Sequence, residues 1–118
     1  MKFVRYQFEG KTSYGVADGD TVREIEGGLF GEKRQTGRSA KLDGVELLCP
    51  CEPTKILAVG LNYKSHIGNQ TAPARPEIFY KPPSALLPPG GNIAIPEGSR
   101  DVHFDGELVA VIGRKTRN

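Results

Sequence analysis

Val102-His103-Phe104-Asp105-Gly106-Glu107-Leu108-Val109-Ala110-Val111-Ile112-Gly113 is the stretch that decides the reading of this chain. It is an apolar, β-branched run that opens with two acids. Side chains alternate faces along a strand with period two. On a strand, Asp105 and Glu107 therefore point the same way, followed on that face by Val109 and Val111. Phe104, Leu108, Ala110 and Ile112 take the other face. Carboxylates at i and i+2 sit roughly 6–7 Å apart along a strand, so both can lean onto one hard cation such as Mg²⁺ or Mn²⁺. Taken alone, the stretch reads first as two solvated acids at the frayed start of a strand; the rest of the chain shifts the reading towards a cation.

Working outward, the bulk numbers fit a small, turn-rich β protein. The chain has 118 residues, enough for one domain or for a small domain plus part of another. It carries 15 glycines and 9 prolines, and 37% of its residues are hydrophobic, so short strands and many turns are expected. The net charge of +2 comes from interspersed acids and bases. No basic run with interleaved aromatics points to nucleic acid. No apolar stretch approaches the roughly 20 residues that span a membrane. The segment Met1-Lys2-Phe3-Val4-Arg5-Tyr6 lacks the apolar core of an export signal, so a cytoplasmic location is expected. Cys49 and Cys51 flank Pro50; a disulfide across one residue would be strained, and zinc-type spacing is missing. Both read as small loop or packing residues.

Towards the N-terminus, Phe3–Phe8, Thr12–Val16 and Thr21–Ile25 alternate apolar and polar residues and predict a three-stranded antiparallel meander. Asp18-Gly19 is the hairpin signal, because both central positions of a type I′ turn need positive φ. Gly27–Lys41 is polar and glycine-rich and reads as a connection, at most with one short turn of helix. Leu42–Leu48 is a candidate short strand. Pro50 and Pro53 mark a boundary, which divides the chain into a small β subdomain at residues 1–53 and a second domain beginning at 54 and running to 118.

In the second part, Lys55–Asn62 is a near-continuous apolar run, as in a strand buried on both faces. Tyr63–Ile67 predicts a helical turn with Asn62 as its N-cap. Gly68–Pro76 reads as a loop and Ile78–Lys81 as a short strand. Lys81-Pro82-Pro83-Ser84 reads as a rigid turn, since proline fixes φ and removes a donor. Ile93–Pro96 reads as an edge-like strand that leads, through a polar loop, to the acidic run. No internal repeat is present.

Three stretches thus follow in order: Gly60-Leu61-Asn62-Tyr63-Lys64-Ser65-His66, then Phe79-Tyr80-Lys81-Pro82-Pro83-Ser84-Ala85-Leu86, then Phe104 to Gly113. In order and wording they resemble the fumarylacetoacetate hydrolase family. The meander down to Glu52-Pro53-Thr54-Lys55-Ile56 resembles the small extra N-terminal domain of many bacterial members. The resemblance implies a mainly β (α+β) fold: a small antiparallel subdomain, then the first part of a mixed β-sandwich or β-roll, usually dimeric. It also implies a Mg²⁺- or Mn²⁺-dependent enzyme acting on small keto acids by acylpyruvate-type hydrolysis, decarboxylation or 2-hydroxyhepta-2,4-diene-1,7-dioate-type isomerisation. The chemistry is coherent, because a dicarbonyl acid chelates a divalent cation that stabilises the enolate.

Carried over residue by residue, the resemblance makes Asp105 and Glu107 the first two metal ligands, with Asp105 standing where the family usually has Glu. It makes His66 the catalytic histidine on a lid-like segment, suited to proton transfer at neutral pH. Lys81 and Ser84 become substrate-binding residues beside the pocket. Asn69 stands where hydrolytic members carry a Glu; an amide can orient an imidazole or a water but cannot accept a proton, which favours isomerisation or decarboxylation. The resemblance also places a third carboxylate ligand and much of a homodimer interface beyond Asn118. The competing expectation is an inactive or partner-completed β-rich binding module. Neither expectation includes nucleic acid or a membrane.

Overall fold

The computed structural model describes residues 1–117, and Asn118 lies outside them. The first half is a five-stranded antiparallel sheet: β1 (Lys2–Phe8), β2 (Lys11–Asp18), β3 (Thr21–Glu26), β4 (Arg34–Lys41) and β5 (Glu46–Leu48), in the order β4-β3-β2-β1-β5. Alternating Val4, Tyr6 and Phe8 on β1 fix its register against β2, with Tyr6 opposite Ser13 and Val4 opposite Gly15.

The turns differ in kind. Glu9 and Gly10, between β1 and β2, both have positive φ (49° and 77°), the pattern of a type I′ turn. The second turn corrects the expectation at Asp18-Gly19. Asp18 pairs with Thr21, so Gly19 and Asp20 are the central residues, and only Gly19 has positive φ (60°), the type II′ pattern.

Residues 27–41 do not form a simple connection: β4 occupies Arg34–Lys41 and lengthens the meander by a strand. Its apolar content is too low for hydrophobic patterning to betray it. Charge pairing across β3 compensates. Arg34 bonds Glu26, Arg38 bonds Glu24, and Lys41 bonds Asp20 in the preceding turn. The three contacts tie β4 to β3 and to the turn before it across a register shift between Arg23 and Ile25, at Glu24. Leu42–Gly44 is a short 3-10 turn, and only Glu46–Leu48 of the expected strand at 42–48 pairs, against β1.

The core of this sheet is small: Tyr6 (4% exposed), Val22 (0%) and Ile25 are its buried apolar side chains. Gly15 makes it possible. A Cβ there would lie 2.4 Å from Val22 Cγ1 and 3.1 Å from the Tyr6 ring, so the bare backbone lets both pack against it.

The second half is more open. β6 (Ile56–Gly60) and β7 (Glu77–Lys81) form a two-stranded antiparallel sheet, with Leu57 opposite Tyr80 and Val59 opposite Ile78. Between them lies a one-turn helix, α1 (Lys64–Ile67). The strand expected at 55–62 is therefore present, but it is not buried on both faces: Leu57 and Val59 are exposed. The residue capping α1 is Tyr63 rather than Asn62, with no side-chain cap. Pro83–Ala85 is a 3-10 turn that matches the rigid turn expected there.

Two expected strands are not formed. Ile93–Pro96 and Val102–Gly113 are extended or irregular, without ladder partners among the described residues. β-propensity reflects fit to a pleated, half-buried surface, so a run without a neighbouring strand has nothing to hold it. The fold is nevertheless mainly β and antiparallel, as expected. No helix among the described residues is long and apolar enough to cross a membrane.

Candidate active site

The site is assembled from the end of β6, from α1 and from the acidic run. β6 ends at Gly60, and Leu61 then takes a positive φ of 49°, unusual for a side chain of its size. This kink turns the chain out of the strand into α1, whose amides from His66 and Ile67 donate to the Tyr63 carbonyl. One turn of helix carries His66, whose side chain is half exposed. The Tyr63 ring meets the imidazole edge-on, with centroids 6.4 Å apart and planes at 68°.

His66 Nε2 lies 3.2 Å from Asp105 Oδ1, across 39 residues of sequence, and both side chains are half exposed. This is the contact that joins two of the sequence-predicted residues. Periodicity gave no sign of it, because on a strand Asp105 would share a face with Glu107 and not lean towards α1. Glu107 is exposed and forms no ion pair or side-chain hydrogen bond among the described residues. Lys81 closes β7, and its ammonium sits 5.5 Å above the Phe79 ring, a cation–π contact at an exposed site. Ser84 lies in the 3-10 turn, where the Ala85 amide donates to the Pro82 carbonyl. Neither Lys81 nor Ser84 reaches the His66–Asp105 pair by a hydrogen bond or ion pair among the described residues. His103 pairs with Asp101 at 2.9 Å, a local loop contact.

As a metal centre the arrangement is partial. Asp105 and Glu107 are the hard oxygen donors that Mg²⁺ or Mn²⁺ favours. However, no group of three or more His, Cys, Asp or Glu side chains gathers among the described residues. The donors fit such an ion in kind, and the set falls short in number.

The strongest electrostatic feature lies elsewhere. Glu24, 8% exposed, is held by Arg38 through bonds of 2.7 and 2.5 Å and by Lys11 at 3.1 Å. The Arg38 bonds, reinforced by Lys11 and opposed by burial, hold its carboxyl down at about 2. Burial, then the Glu24 charge, pushes the neighbouring Tyr6 phenol up. These side chains line an open cleft of about 440 Å³ on the first sheet. A second, of about 360 Å³, runs from Arg5, Cys49 and Cys51 to Pro83 and Leu86. Neither cleft contains His66 or Asp105.

Comparison with known proteins places the chain. Residues 55–118 match the family model described as fumarylacetoacetate (FAA) hydrolase C-terminal, and residues 1–50 match the one described as Rv2993c-like, N-terminal. The chain belongs to the fumarylacetoacetate hydrolase family. It is 43% identical to Protein Rv2993c of Mycobacterium tuberculosis over 100 residues, which cover 83% of this chain and 38% of that protein. It is 47% identical to the mitochondrial oxaloacetate tautomerase FAHD2 of Arabidopsis thaliana over 68 residues, 55% of this chain and 30% of the other. Among solved structures, the 5-carboxymethyl-2-hydroxymuconate delta-isomerase of Mycobacterium smegmatis superposes with a TM-score of 0.60 at 36% identity, over 72% of this chain and 34% of that one. The chain spans about a third of the length of these relatives.

Proposed function

We propose that this chain contributes to an enzyme that moves a proton on a small keto acid, by keto–enol tautomerisation or double-bond isomerisation rather than by hydrolysis. The observation that carries the proposal is the approach of His66 Nε2 to Asp105 Oδ1. Names of similar proteins support the class: an isomerase of a hydroxymuconate and an oxaloacetate tautomerase. Asn69 adds to it, since the amide that stands three residues after His66 cannot take the proton of an attacking water.

In this reading His66 removes the proton next to the carbonyl and returns it to the other end of the enol system, so no atoms are gained or lost. Asp105 stands 3.2 Å from the imidazole and orients it for proton transfer. Tyr63 limits the ring's rotation from the edge. Lys81 supplies a cation for the substrate carboxylate, and Ser84 a hydroxyl in the adjoining turn. Asp105 and Glu107 would hold a divalent cation, Mg²⁺ or Mn²⁺, which when bound polarises the keto oxygen. The same reading divides the chain near residue 53. The boundaries of the two family matches and the separation into two sheets support this division. A homodimer is the assembly this reading expects.

The test follows the decay of enol oxaloacetate with Mg²⁺ or Mn²⁺, comparing the wild-type chain with His66→Ala. General acid–base catalysis contributes about 10²–10⁴-fold, so the substitution should remove most of the acceleration. An acceleration that survives His66→Ala unchanged, or a wild-type chain that releases acid from an acylpyruvate faster than it tautomerises oxaloacetate, would overturn the proposal.

A further inference from the structure

Two thiols share one cleft away from His66. Cys49 follows β5, the strand held against β1, and Cys51 stands two residues on. Both are free and partly buried. The chain bends at Pro50 between them, and both line the second cleft, of about 360 Å³. Backbone reach keeps their Cα atoms within about 7 Å of each other. A direct S–S bond would close a ring over a single residue, and its dihedral of roughly 90° strains so small a ring. An ion between the sulfurs relaxes that demand, since at metal–sulfur distances of about 2.3 Å the sulfurs stand up to about 4.6 Å apart. The surroundings select the kind of ion. Leu48, Pro83, Leu86 and Pro88 give the cleft an apolar wall, and its lining among the described residues includes no imidazole or thioether. Its carboxylate, on largely exposed Glu52, is held by Arg5 at 2.8 Å. Structural Zn²⁺ takes four donors, and Mg²⁺ or Ca²⁺ takes oxygens and water. Thiolates select a soft cation such as Cu⁺.

We propose that Cys49 and Cys51 form a two-coordinate site for a soft monovalent cation, Cu⁺, separate from the hard-cation donors Asp105 and Glu107. Binding exchanges two protons for one ion. Both S–H bonds break, the protons leave to solvent, and two Cu–S bonds form with no change of oxidation state. Two thiolates on Cu⁺ carry one net negative charge. Arg5 is placed to answer it: its side chain is 15% exposed and its Nη1 lies 3.5 Å from the Cys49 carbonyl oxygen. A guanidinium has five N–H donors, so the pairing with Glu52 leaves others for the site.

The experiment titrates Cu⁺ into the reduced 118-residue chain without oxygen, in competition with a chromophoric Cu⁺ chelator. The expected result is one Cu⁺ per chain, with the mass read by light scattering unchanged by the ion. Cys49→Ser and Cys51→Ser should each weaken binding by about a hundredfold or more, since even partners outside a metal's ligand set are worth about 10–100-fold. Circular dichroism of each variant, matched to the wild type, separates loss of the site from loss of the fold. X-ray absorption at the copper edge of the wild-type complex reads the ligands without any substitution, and two sulfur neighbours are expected. Excess Mn²⁺ should leave Cu⁺ binding unchanged. Nitrogen or oxygen neighbours at the copper edge overturn the proposal, as does wild-type affinity in either serine variant. One ion per two chains with a doubled mass places Cu⁺ between copies and overturns it too. Displacement of Cu⁺ by Mn²⁺ overturns the separation of the two sites.

Discussion

Acid should loosen the first sheet through one carboxylate. Glu24 is buried on the face that carries Tyr6 and Val22, and Arg38 and Lys11 hold its carboxyl down at about 2, from an ordinary 4.5. A group whose folded pKa is depressed contributes stability above its unfolded value, and that contribution is lost as pH falls towards the folded value. The sensitive window is therefore pH 4.5 down to about 2, with little change above pH 5 from this group. Taken at face value, a shift of that size corresponds to about 3 kcal/mol. The sheet is one layer thick, however, and both cationic partners are more than 60% exposed, so solvent screens the pair. About 1 kcal/mol is the expected contribution.

The direct perturbation is Glu24→Gln, which keeps the shape and removes the charge. Its two partners can rehydrate, which keeps the cost at pH 7 near the same 1 kcal/mol. Urea unfolding followed by circular dichroism at several pH values reads it. At pH 7 the midpoint should fall by about 0.5–1 M for a protein of this size. The difference between wild type and Glu24→Gln should then shrink as pH drops through the window. Asp20 and Glu26 are also held low, by Lys41 and Arg34, so both proteins keep a shared residual slope. A wild-type-minus-variant difference that stays constant between pH 5 and pH 2.5 would refute the assignment of the depressed carboxyl to Glu24.

Three further outcomes follow from particular residues. Gly15→Ala places a methyl 2.4 Å from Val22 Cγ1 and 2.9 Å from the Arg23 carbonyl, so thermal unfolding should show a loss of about 1–3 kcal/mol from overpacking. Gly10→Ala meets nothing within 4 Å and costs only the positive φ of 77°, about 1 kcal/mol in the same assay, which separates a conformational penalty from a steric one. Asn69→Glu restores a proton acceptor three residues after His66; a gain of acylpyruvate hydrolysis, read by acid release, is expected, and unchanged hydrolysis would remove Asn69 from the argument over reaction type.

Legibility from sequence followed what sets each element. β1 to β3 were readable because their alternation is local and their turns carry glycine. β4 was not, because it holds one alanine and no large apolar residue, and its place comes from Arg34, Arg38 and Lys41 meeting acids on β3 and in the turn before it. Such pairs depend on which strand lies alongside, which spacing within one segment does not encode. The helical turn carrying His66 was readable from its position after an apolar run closed by glycine. Its cap at Tyr63 was not, since no side chain makes the capping bond. The His66–Asp105 contact was illegible for the same reason as β4: it joins residues far apart in sequence and depends on the backbone state of the second partner.

That backbone state connects the two roles argued for Asp105. In the irregular run seen here, Asp105 turns to the imidazole and Glu107 stands alone in solvent. In a paired strand, period two would bring both carboxylates to one face, roughly 6–7 Å apart, the spacing that lets two oxygens share a cation. Extension of residues 105–107 into a strand would bring Glu107 alongside Asp105 while α1, set by the kink at Leu61, stays where β6 puts it. Mn²⁺ broadening of NMR signals separates the cases. Weak, unsaturable broadening near Asp105 in the chain with this irregular run is the expected pattern. Saturable broadening of both Asp105 and Glu107 would show that the two acids meet without a strand and would refute the dependence on backbone state.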